Sequence, residues 1–483
     1  MGRDVASNTT AAANRSGLDK FFHISERGST VGREFRGGLV TFFAMAYILV
    51  VNANLLGGVD SSIPPTSIAA GTALVAGLMS ILMGVVANYP LALAAGMGLN
   101  AMVAFTLCGA MGLSYAEAMG LIFWEGAAIT LLVLTGLREA VFRAVPAELK
   151  TAISVGIGLF IAFVGLLNAG VIRPGGTPVQ LGIDGSLAGW PAFIFVVGLL
   201  LIVILYVKKV RGAILIGIVG ATTLSVIVQA IAHVPAMHDE TGKVAHPTGW
   251  GLNAPNLTGS PIRLPDFATL GQIDFFGAFS KLGPIAAVLI IFSLLLADFF
   301  DTMGTMVAIG AEGDLLDENG IPPHSDRILL VDSIAAAVGG LAGTSSNTSY
   351  VESSAGVGEG ARTGLATVFT GAFFLLSVFF SPLVEVVPSE AASTALVFVG
   401  FLMMQQVLDI DWKDPEIAIP AFLTVAMMPF AYSITVGIGA GVIVWTIIKL
   451  ARGKAREIHP LMALVAVLFV FYFVLGPIKA LFA

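Results

Sequence analysis

Residues 343–364 read GTSSNTSYVESSAGVGEGARTG, and this stretch decides the fold because it lies between two strongly apolar segments. It is rich in Ser, Thr and Gly, and it carries Glu352. Hydrocarbon offers no hydrogen-bond partner to its backbone and hydroxyl groups, so the stretch cannot face lipid. It therefore predicts a protein-lined cavity at membrane depth, with Glu352 as a functional carboxylate.

The composition is that of a membrane protein. The 483 residues are 57% hydrophobic and only 11% charged, whereas a soluble domain carries roughly 25% charged residues. The net charge of −7 comes without a basic cluster, so nucleic acid is not an expected partner. Cys108 is the only cysteine, which excludes disulfides within the chain and cysteine-based metal sites. We also find no phosphate-binding loop and no His-Glu-x-x-His motif, and we expect neither a cofactor nor an enzyme.

Apolar segments of spanning length predict an all-α polytopic fold with about fourteen transmembrane helices. They lie at about 37–57, 66–87, 91–109, 117–137, 150–170, 190–207, 212–232, 284–310, 327–342, 348–360, 363–386, 393–409, 415–431 and 433–451. A last apolar stretch at 461–480 either spans the membrane or lies against the bundle. Before the first span, residues 18–27 predict a short interfacial helix with Phe21 and Phe22 on lipid.

Positive charge sets the orientation of the spans. Basic residues come after the fourth, sixth and fourteenth spans: Arg138, Arg143, Lys150, Lys208, Lys209, Arg211, Arg452, Lys454 and Arg456. With these connections inside, both chain ends are cytoplasmic in a multi-pass protein of the plasma (inner) membrane.

The third and tenth spans are interrupted, the third by Pro90, Gly96 and Gly98 and the tenth by the Ser/Thr/Gly stretch. Interrupted segments at matching positions of two halves indicate inverted repeats with a binding site between them. We therefore predict a cytoplasmic tail (1–36), a first seven-span repeat (37–232) and an extracellular loop (233–283). A second seven-span repeat (284–452) comes next, and a C-terminal segment with an extra apolar helix (453–483) ends the chain.

Two carboxylates lie three residues apart in the eighth span. Asp298 and Asp301 share a helix face, and a charged Asp at mid-bilayer costs about 2.5–3.5 kcal/mol. This cost favours a functional role for Asp298. Asp301 either shares that role or holds a structural hydrogen-bond network. Buried carboxyl groups such as these and Glu352 can bind and release a proton, and they accept hydrogen bonds from the ring N–H groups of a heterocycle.

Polar and aromatic residues near the two breaks are further candidates. Asn100 lies just after Gly98 and either binds substrate or joins helices. Half-helices that begin near Met97 and Ser353 would present free N–H groups to a ligand. Tyr350 could stack on a flat substrate or pack in the core, and Tyr47 of the first span is expected to be mainly packing.

Four motifs together resemble the AzgA-type purine permeases, the adenine–guanine–hypoxanthine branch of the nucleobase–cation symporters, also called the nucleobase–ascorbate transporter superfamily. They lie at 37–52, 88–101, 298–305 and 344–357, and the resemblance runs from about Phe21 to Ala451. It implies fourteen spans in two inverted repeats of seven. Spans 1–4 and 8–11 would form a core domain, spans 5–7 and 12–14 a gate domain, and spans three and ten would each pair a short strand with a half-helix.

The resemblance also implies roles. Asp298 and Glu352 would contact the purine, Asn100 would support binding, and Asp301 would serve transport or the coupling network. Ser353 stands where uracil and xanthine relatives usually have Asn, and Asp298 where they favour Glu. The resemblance therefore implies a pocket shifted away from uracil or xanthine and toward adenine, guanine and hypoxanthine. The family couples uptake to protons, and some relatives are dimers, so a homodimer is possible here.

The sequence therefore predicts a secondary transporter that imports adenine, guanine and hypoxanthine by proton symport, through elevator-type movement of core against gate. The alternative is an anion transporter for sulfate or bicarbonate with the same fold. Anion sites avoid carboxylates, so the acidic residues of the broken spans argue against it. The choice between H⁺ and Na⁺ as the coupling ion stays open, as does the preferred purine.

Overall fold

The computed structural model describes residues 17–482 except for 61, 137–144, 211, 238–243, 252, 257–259 and 319–320. The tail up to residue 16 lies outside the described residues, as do Arg138, Arg143 and Arg211. The charge argument at those three positions stays a prediction.

The first half of the described chain is built from nine helices and three short strands. In chain order these are α1 (Gly17–Phe22), α2 (Val31–Met45), α3 (Tyr47–Gly57), α4 (Pro65–Val86), β1 (Leu93–Ala95), α5 (Met97–Ala101, continued as a π-helix over Met102–Ala110), α6 (Tyr115–Leu134), α7 (Ala147–Asn168), β2 (Ile172–Arg173), β3 (Gln180–Leu181), α8 (Trp190–Val207) and α9 (Ala213–Ala232).

The second half of the described chain is also mainly helical and contains one short strand. Its elements are α10 (Gly277–Leu282), α11 (Pro284–Glu312), α12 (Ser325–Leu341), β4 (Asn347–Ser349), a 3₁₀ turn (Val351–Ser353), α13 (Ser354–Gly358), α14 (Gly364–Ser377, continued as 3₁₀ over Val378–Val386), α15 (Ser389–Met404, then a 3₁₀ turn Gln405–Asp409), α16 (Pro415–Phe430), α17 (Ile434–Ala451), a 3₁₀ turn (Ala455–Glu457) and α18 (Pro460–Phe482).

The helices lie where the apolar segments predict them, and the all-helical membrane fold is confirmed. Ten helices among the described residues are long and apolar enough to cross a membrane. Shorter apolar helices occupy 97–110, 415–430 and 460–474. Because broken or short helices fall below a full membrane crossing in length, the number fourteen stays a prediction, and so does the role of α18.

The two interrupted segments meet in the middle of the molecule. β1 pairs with β4 in antiparallel register, with Leu93 opposite Ser349 and Ala95 opposite Asn347. All residues of both strands are buried. Each strand supplies the hydrogen bonds that the other lacks, which is how extended backbone can exist at membrane depth.

The helices pack in two groups. In the first group, α14 packs on α2 and α4, α12 on α6 and α4, and α11 on α6. In the second group, α15 packs on α7, α8 and α9, and α16 on α7 and α17. Both strands belong with the first group, since β1 packs on α4 and β4 on α12 and α11.

Small residues allow α4 and α14 of the first group to approach closely. A Cβ atom added at Gly371 would lie 2.5 Å from the carbonyl oxygen of Gly77, and one at Gly84 would lie 2.3 Å from that of Gly364. Helix association in lipid relies on such backbone contact, because lipid tails are as apolar as the side chains.

One local expectation is wrong. Phe22 of α1 does not face lipid: it is 5% exposed and packs with Ile24 against Leu365 of α14. Phe21, in contrast, is 55% exposed. The short helix is therefore docked on the first group through one of its two rings.

We expect Gly371→Ala to lower the melting temperature of the detergent-solubilised protein, because the added methyl group collides with the backbone of α4. Overpacking of this kind costs about 1–3 kcal/mol. Gly32→Ala is the matched control, since a Cβ at that helical position meets no atom within 4 Å. Equal melting temperatures for Gly371→Ala and wild type would show that the α4–α14 contact is looser than described.

Candidate functional site

The backbone around the strands forms a closed framework. The N–H of Gly96 donates to the carbonyl of Ser346 at 2.8 Å, and the N–H of Tyr350 donates to that of Ala92 at 3.1 Å. The hydroxyl oxygen of Ser353 accepts a hydrogen bond from the N–H of Ala92 at 3.0 Å. Ser353 therefore ties the tenth segment to the third and is 1% exposed.

Asn100 and Asp298 are the two predicted site residues with unused hydrogen-bonding capacity. Asn100 lies on α5 and Asp298 on α11, which pack against each other, and both are 0% exposed. Within the described part of the chain, the side-chain amide of Asn100 and both carboxyl oxygens of Asp298 lack a hydrogen bond of standard geometry. Buried polar groups are normally hydrogen-bonded, so such groups indicate a ligand or proton site.

Glu352 lies on the 3₁₀ turn after β4 and is half-buried. The hydroxyl of Tyr47 donates to its carboxyl oxygen Oε1 at 2.7 Å. Tyr47 is the first residue of α3, where the first span is interrupted at Ala46. Tyr47 is 0% exposed and packs in the core as predicted, and its hydroxyl in addition contacts a candidate site carboxylate.

Asp301 lies one turn beyond Asp298 and close enough to Glu352 for the two charges to interact. The carboxylates of the eighth and tenth spans, which the sequence pattern singled out, are thus brought together. The next residue, Thr302, connects this region to the strands, since its hydroxyl lies 2.9 Å from that of Thr348 in β4.

Tyr350 and Gly98 are held in ways that the sequence did not reveal. The hydroxyl of Tyr350 donates to the carbonyl of Ala95 at 2.6 Å, and its ring is 6% exposed. A Cβ atom at Gly98 would lie 2.6 Å from Ile157 of α7. Gly98 is therefore a point of close contact between the two helix groups. A substrate-binding role for either residue stays a prediction.

Sequence reasoning missed two buried carboxylates, Glu125 of α6 and Asp332 of α12, which are 0% and 2% exposed. Asp332 accepts hydrogen bonds from Thr302 and from Ser349, each at 2.8 Å. Both residues lie inside apolar segments, so the cost argument that singled out Asp298 applied to them equally. They were overlooked because neither lies in a broken span or beside a second carboxylate.

The two broken segments with their crossed strands, buried carboxylates and unpaired amide define a membrane transporter, and the chain belongs to the Permease family (Xan_ur_permease), whose model matches residues 32–446. The family members are transporters, so the expectation that the chain is not an enzyme is confirmed.

Curated relatives include the adenine permease AdeP of Escherichia coli, 37% identical over 96% of this chain and 97% of its own length. The guanine/hypoxanthine permease PbuG of Bacillus subtilis is 39% identical over 95% of this chain and 99% of its own length. The resemblance to purine permeases is thereby confirmed.

Solved structures share the fold at low sequence identity. The transmembrane domain of a cyanobacterial bicarbonate transporter, BicA, superposes with a TM-score of 0.56 at 13% identity, over 85% of this chain and 97% of that one. Murine Slc26a9, an anion transporter in its inward-facing state, gives a TM-score of 0.59 at 11% identity. The superposition covers 87% of this chain and 68% of that one. At such identities the likeness establishes the fold and leaves the substrate to the site.

We expect Tyr350→Phe to lower the melting temperature slightly, because it removes the hydrogen bond to Ala95 and leaves the ring in place. A hydrogen bond of this type contributes about 0.5–1.5 kcal/mol. Tyr206→Phe is the control: Tyr206 is 41% exposed, and its ring contact with Phe398 survives the change. If Tyr350→Phe and Tyr206→Phe both had the melting temperature of wild type, the hydroxyl of Tyr350 would not stabilise β1.

Proposed function

We propose that this protein imports the purine nucleobases adenine, guanine and hypoxanthine by proton symport. In this proposal it resides in the plasma (inner) membrane with its N-terminus in the cytoplasm. The observation that carries the proposal is the similarity to adenine and guanine/hypoxanthine permeases, at 37% and 39% identity over nearly the whole chain. It is combined with the side chains of Asn100 and Asp298, which lie on the packed helices α5 and α11 and lack a hydrogen-bond partner among the described residues.

The chemistry of the site suits a neutral purine. A carboxyl oxygen of Asp298 or Glu352 can accept a hydrogen bond from a ring N–H, while the amide of Asn100 can donate to a ring nitrogen and accept from an amino group. The hydroxyl that Tyr47 donates to Glu352 limits the orientations of that carboxylate. A site built to hydrogen-bond a substrate discriminates strongly, since the wrong substrate leaves its buried polar groups unpaired.

Anion transport by the same architecture is the weaker proposal. The solved anion transporters share the fold with this chain and little sequence. Asp298, Asp301 and Glu352 would place up to three negative charges close to a bound anion, which like-charge repulsion disfavours.

Elevator-type movement would let the same site face both sides of the membrane. Asp298 and Asp301 lie on α11 of the first helix group, whereas Gly98 of α5 meets the second group at Ile157 of α7. Asn100, Asp298 and Ser353 are at most 1% exposed, so a purine would reach them only when the two groups separate or slide. In this mechanism the first group is the core and the second the gate.

We expect Asp298→Asn and Glu352→Gln each to reduce the initial rate of radiolabelled hypoxanthine uptake at least tenfold, in cells that lack their own purine permeases. The reason is that an amide replaces a purely accepting carboxylate and places an N–H where the purine presents its own. Membrane expression and melting temperature should stay near wild type.

Glu390→Gln serves as the matched control for these variants. Glu390 is 1% exposed and so is buried like Asp298, but it lies on α15 of the second group, where it accepts a hydrogen bond from the N–H of Gly251. If Asp298→Asn or Glu352→Gln took up hypoxanthine as fast as Glu390→Gln, the substituted residue would not belong to the binding site.

Proton coupling has its own test in the same cells. We expect a protonophore to abolish hypoxanthine accumulation above the external concentration, because the purine itself carries no charge and the proton gradient supplies the driving force. Replacing external sodium with choline should leave accumulation unchanged. Accumulation that survives the protonophore and requires sodium would refute proton symport.

A further inference from the structure

Three membrane helices each direct one carboxyl group into the same buried region. Glu125 comes from α6, Asp298 from α11 and Asp332 from α12, and none of them is more than 2% exposed. Glycines bring α6 and α12 together here: a Cβ atom at Gly126 would lie 2.3 Å from the N atom of Ala337. This close approach holds Glu125 inside the first group and away from lipid.

The three carboxyl groups differ in their partners. Asp332 is satisfied by two hydroxyl donors, Thr302 and Ser349. In the described part of the chain, no N–H or O–H group makes a hydrogen bond of standard geometry to Glu125 or Asp298. The helices that carry these two carboxyl groups, α6 and α11, pack against each other, and the two groups are close enough to interact. The donor that can satisfy both is a proton held between them.

Two hydroxyl groups lie beside the pair without satisfying it. Ser346 is the neighbour of Glu125, and Thr348 is the neighbour of Asp298. The hydroxyl of Thr348 is also 2.9 Å from that of Thr302, which offers it another partner. Hydroxyls so placed can pass a proton to or from the pair, because each is both a donor and an acceptor.

The cost of burying two adjacent negative charges also favours a proton bound between Glu125 and Asp298. Each ionised carboxylate at this depth costs about 2.5–3.5 kcal/mol, and two adjacent carboxylates cannot both remain ionised. The ion pairs recorded among the described residues join other groups and include neither Glu125 nor Asp298. Where no cation compensates two adjacent carboxylates, a single shared proton removes their repulsion.

We propose that Glu125 and Asp298 together form the proton-binding site of transport, with Glu125 as the partner that keeps the proton while Asp298 faces the purine. The proposal rests on the proton symport proposed above. In each cycle a carboxylate oxygen of the pair takes a proton from water on one side of the membrane and becomes a carboxyl group. It returns that proton to water on the other side, so no bond of the purine changes.

The surrounding charges fit this assignment. Asp332 of α12 and Asp301 of α11 lie close enough to the pair for their charges to interact with it. Within the described residues, charged groups also contact the first turns of α6, where Glu117 pairs with Lys281 at 3.2 Å and Asp274 meets Gly120. That cluster is two turns from Glu125.

The test reconstitutes the full-length protein in liposomes that contain a trapped pH indicator. For wild type, we expect hypoxanthine entry to acidify the lumen and an imposed pH gradient to drive hypoxanthine accumulation. For Glu125→Gln, which preserves size but cannot titrate, we expect hypoxanthine exchange within about threefold of wild type. Acidification and gradient-driven accumulation should fall at least tenfold. Glu390→Gln is the control and should keep both.

Each result decides the proposal. Coupled acidification by Glu125→Gln at the wild-type level would overturn it, and so would a folded variant that no longer exchanges hypoxanthine, since Glu125 would then serve binding. If Glu125→Gln does not fold, Glu125→Asp replaces it. That variant keeps a carboxyl group at a changed distance from Asp298 and should acidify the lumen with a displaced pH profile. An unchanged profile would contradict the proposal.

Failure of this proposal can be told apart from failure of proton symport itself. A wild type that carries hypoxanthine without moving protons would refute both. A coupled wild type alongside an equally coupled Glu125→Gln would refute only the assignment of the proton to the Glu125–Asp298 pair.

Discussion

The structure depends on a single constraint: backbone groups inside a membrane must find partners within the protein. Both broken segments leave extended backbone in the protein interior, and the pairing of β1 with β4 satisfies it. Because these strands come from different halves of the chain, the same pairing joins the two halves. It also fixes the position of the helical turn after each strand, so that Asn100 and Glu352 are presented from a common centre.

Around that centre the protein tolerates buried acid groups at considerable cost. The carboxyl groups differ in their environment: Tyr47 donates to Glu352 and two hydroxyls donate to Asp332, while Asp298 and Glu125 lie against each other without such a donor. Hydroxyl donors fix the orientation of a carboxyl group, whereas two carboxyl groups without such a donor can share a proton. Such a contrast allows one group of carboxyls to orient a substrate while another holds a proton.

Much of this arrangement could be predicted from the chain alone. The apolar segments and the breaks near Gly96 and residue 350 are consequences of local composition. The choice of Asp298 and Glu352 as candidate site residues follows from the cost of charge in lipid. Family membership could be inferred from four motifs. Glu125 and Asp332 were equally visible as single carboxylates in apolar helices, but nothing local indicated that they meet Asp298.

The local sequence indicated which segments are apolar enough to cross a membrane and where the helices are interrupted, because hydropathy and helix-breaking residues act over a few neighbouring positions. Which polar groups become partners depended on the tertiary structure. Tyr47 and Glu352, which are hydrogen-bonded, lie 305 positions apart in the sequence. Phe22 is buried because it packs against Leu365 of α14. Contacts of this kind arise when helices pack, and the geometry of packing depends on side-chain shapes from both halves of the chain at once.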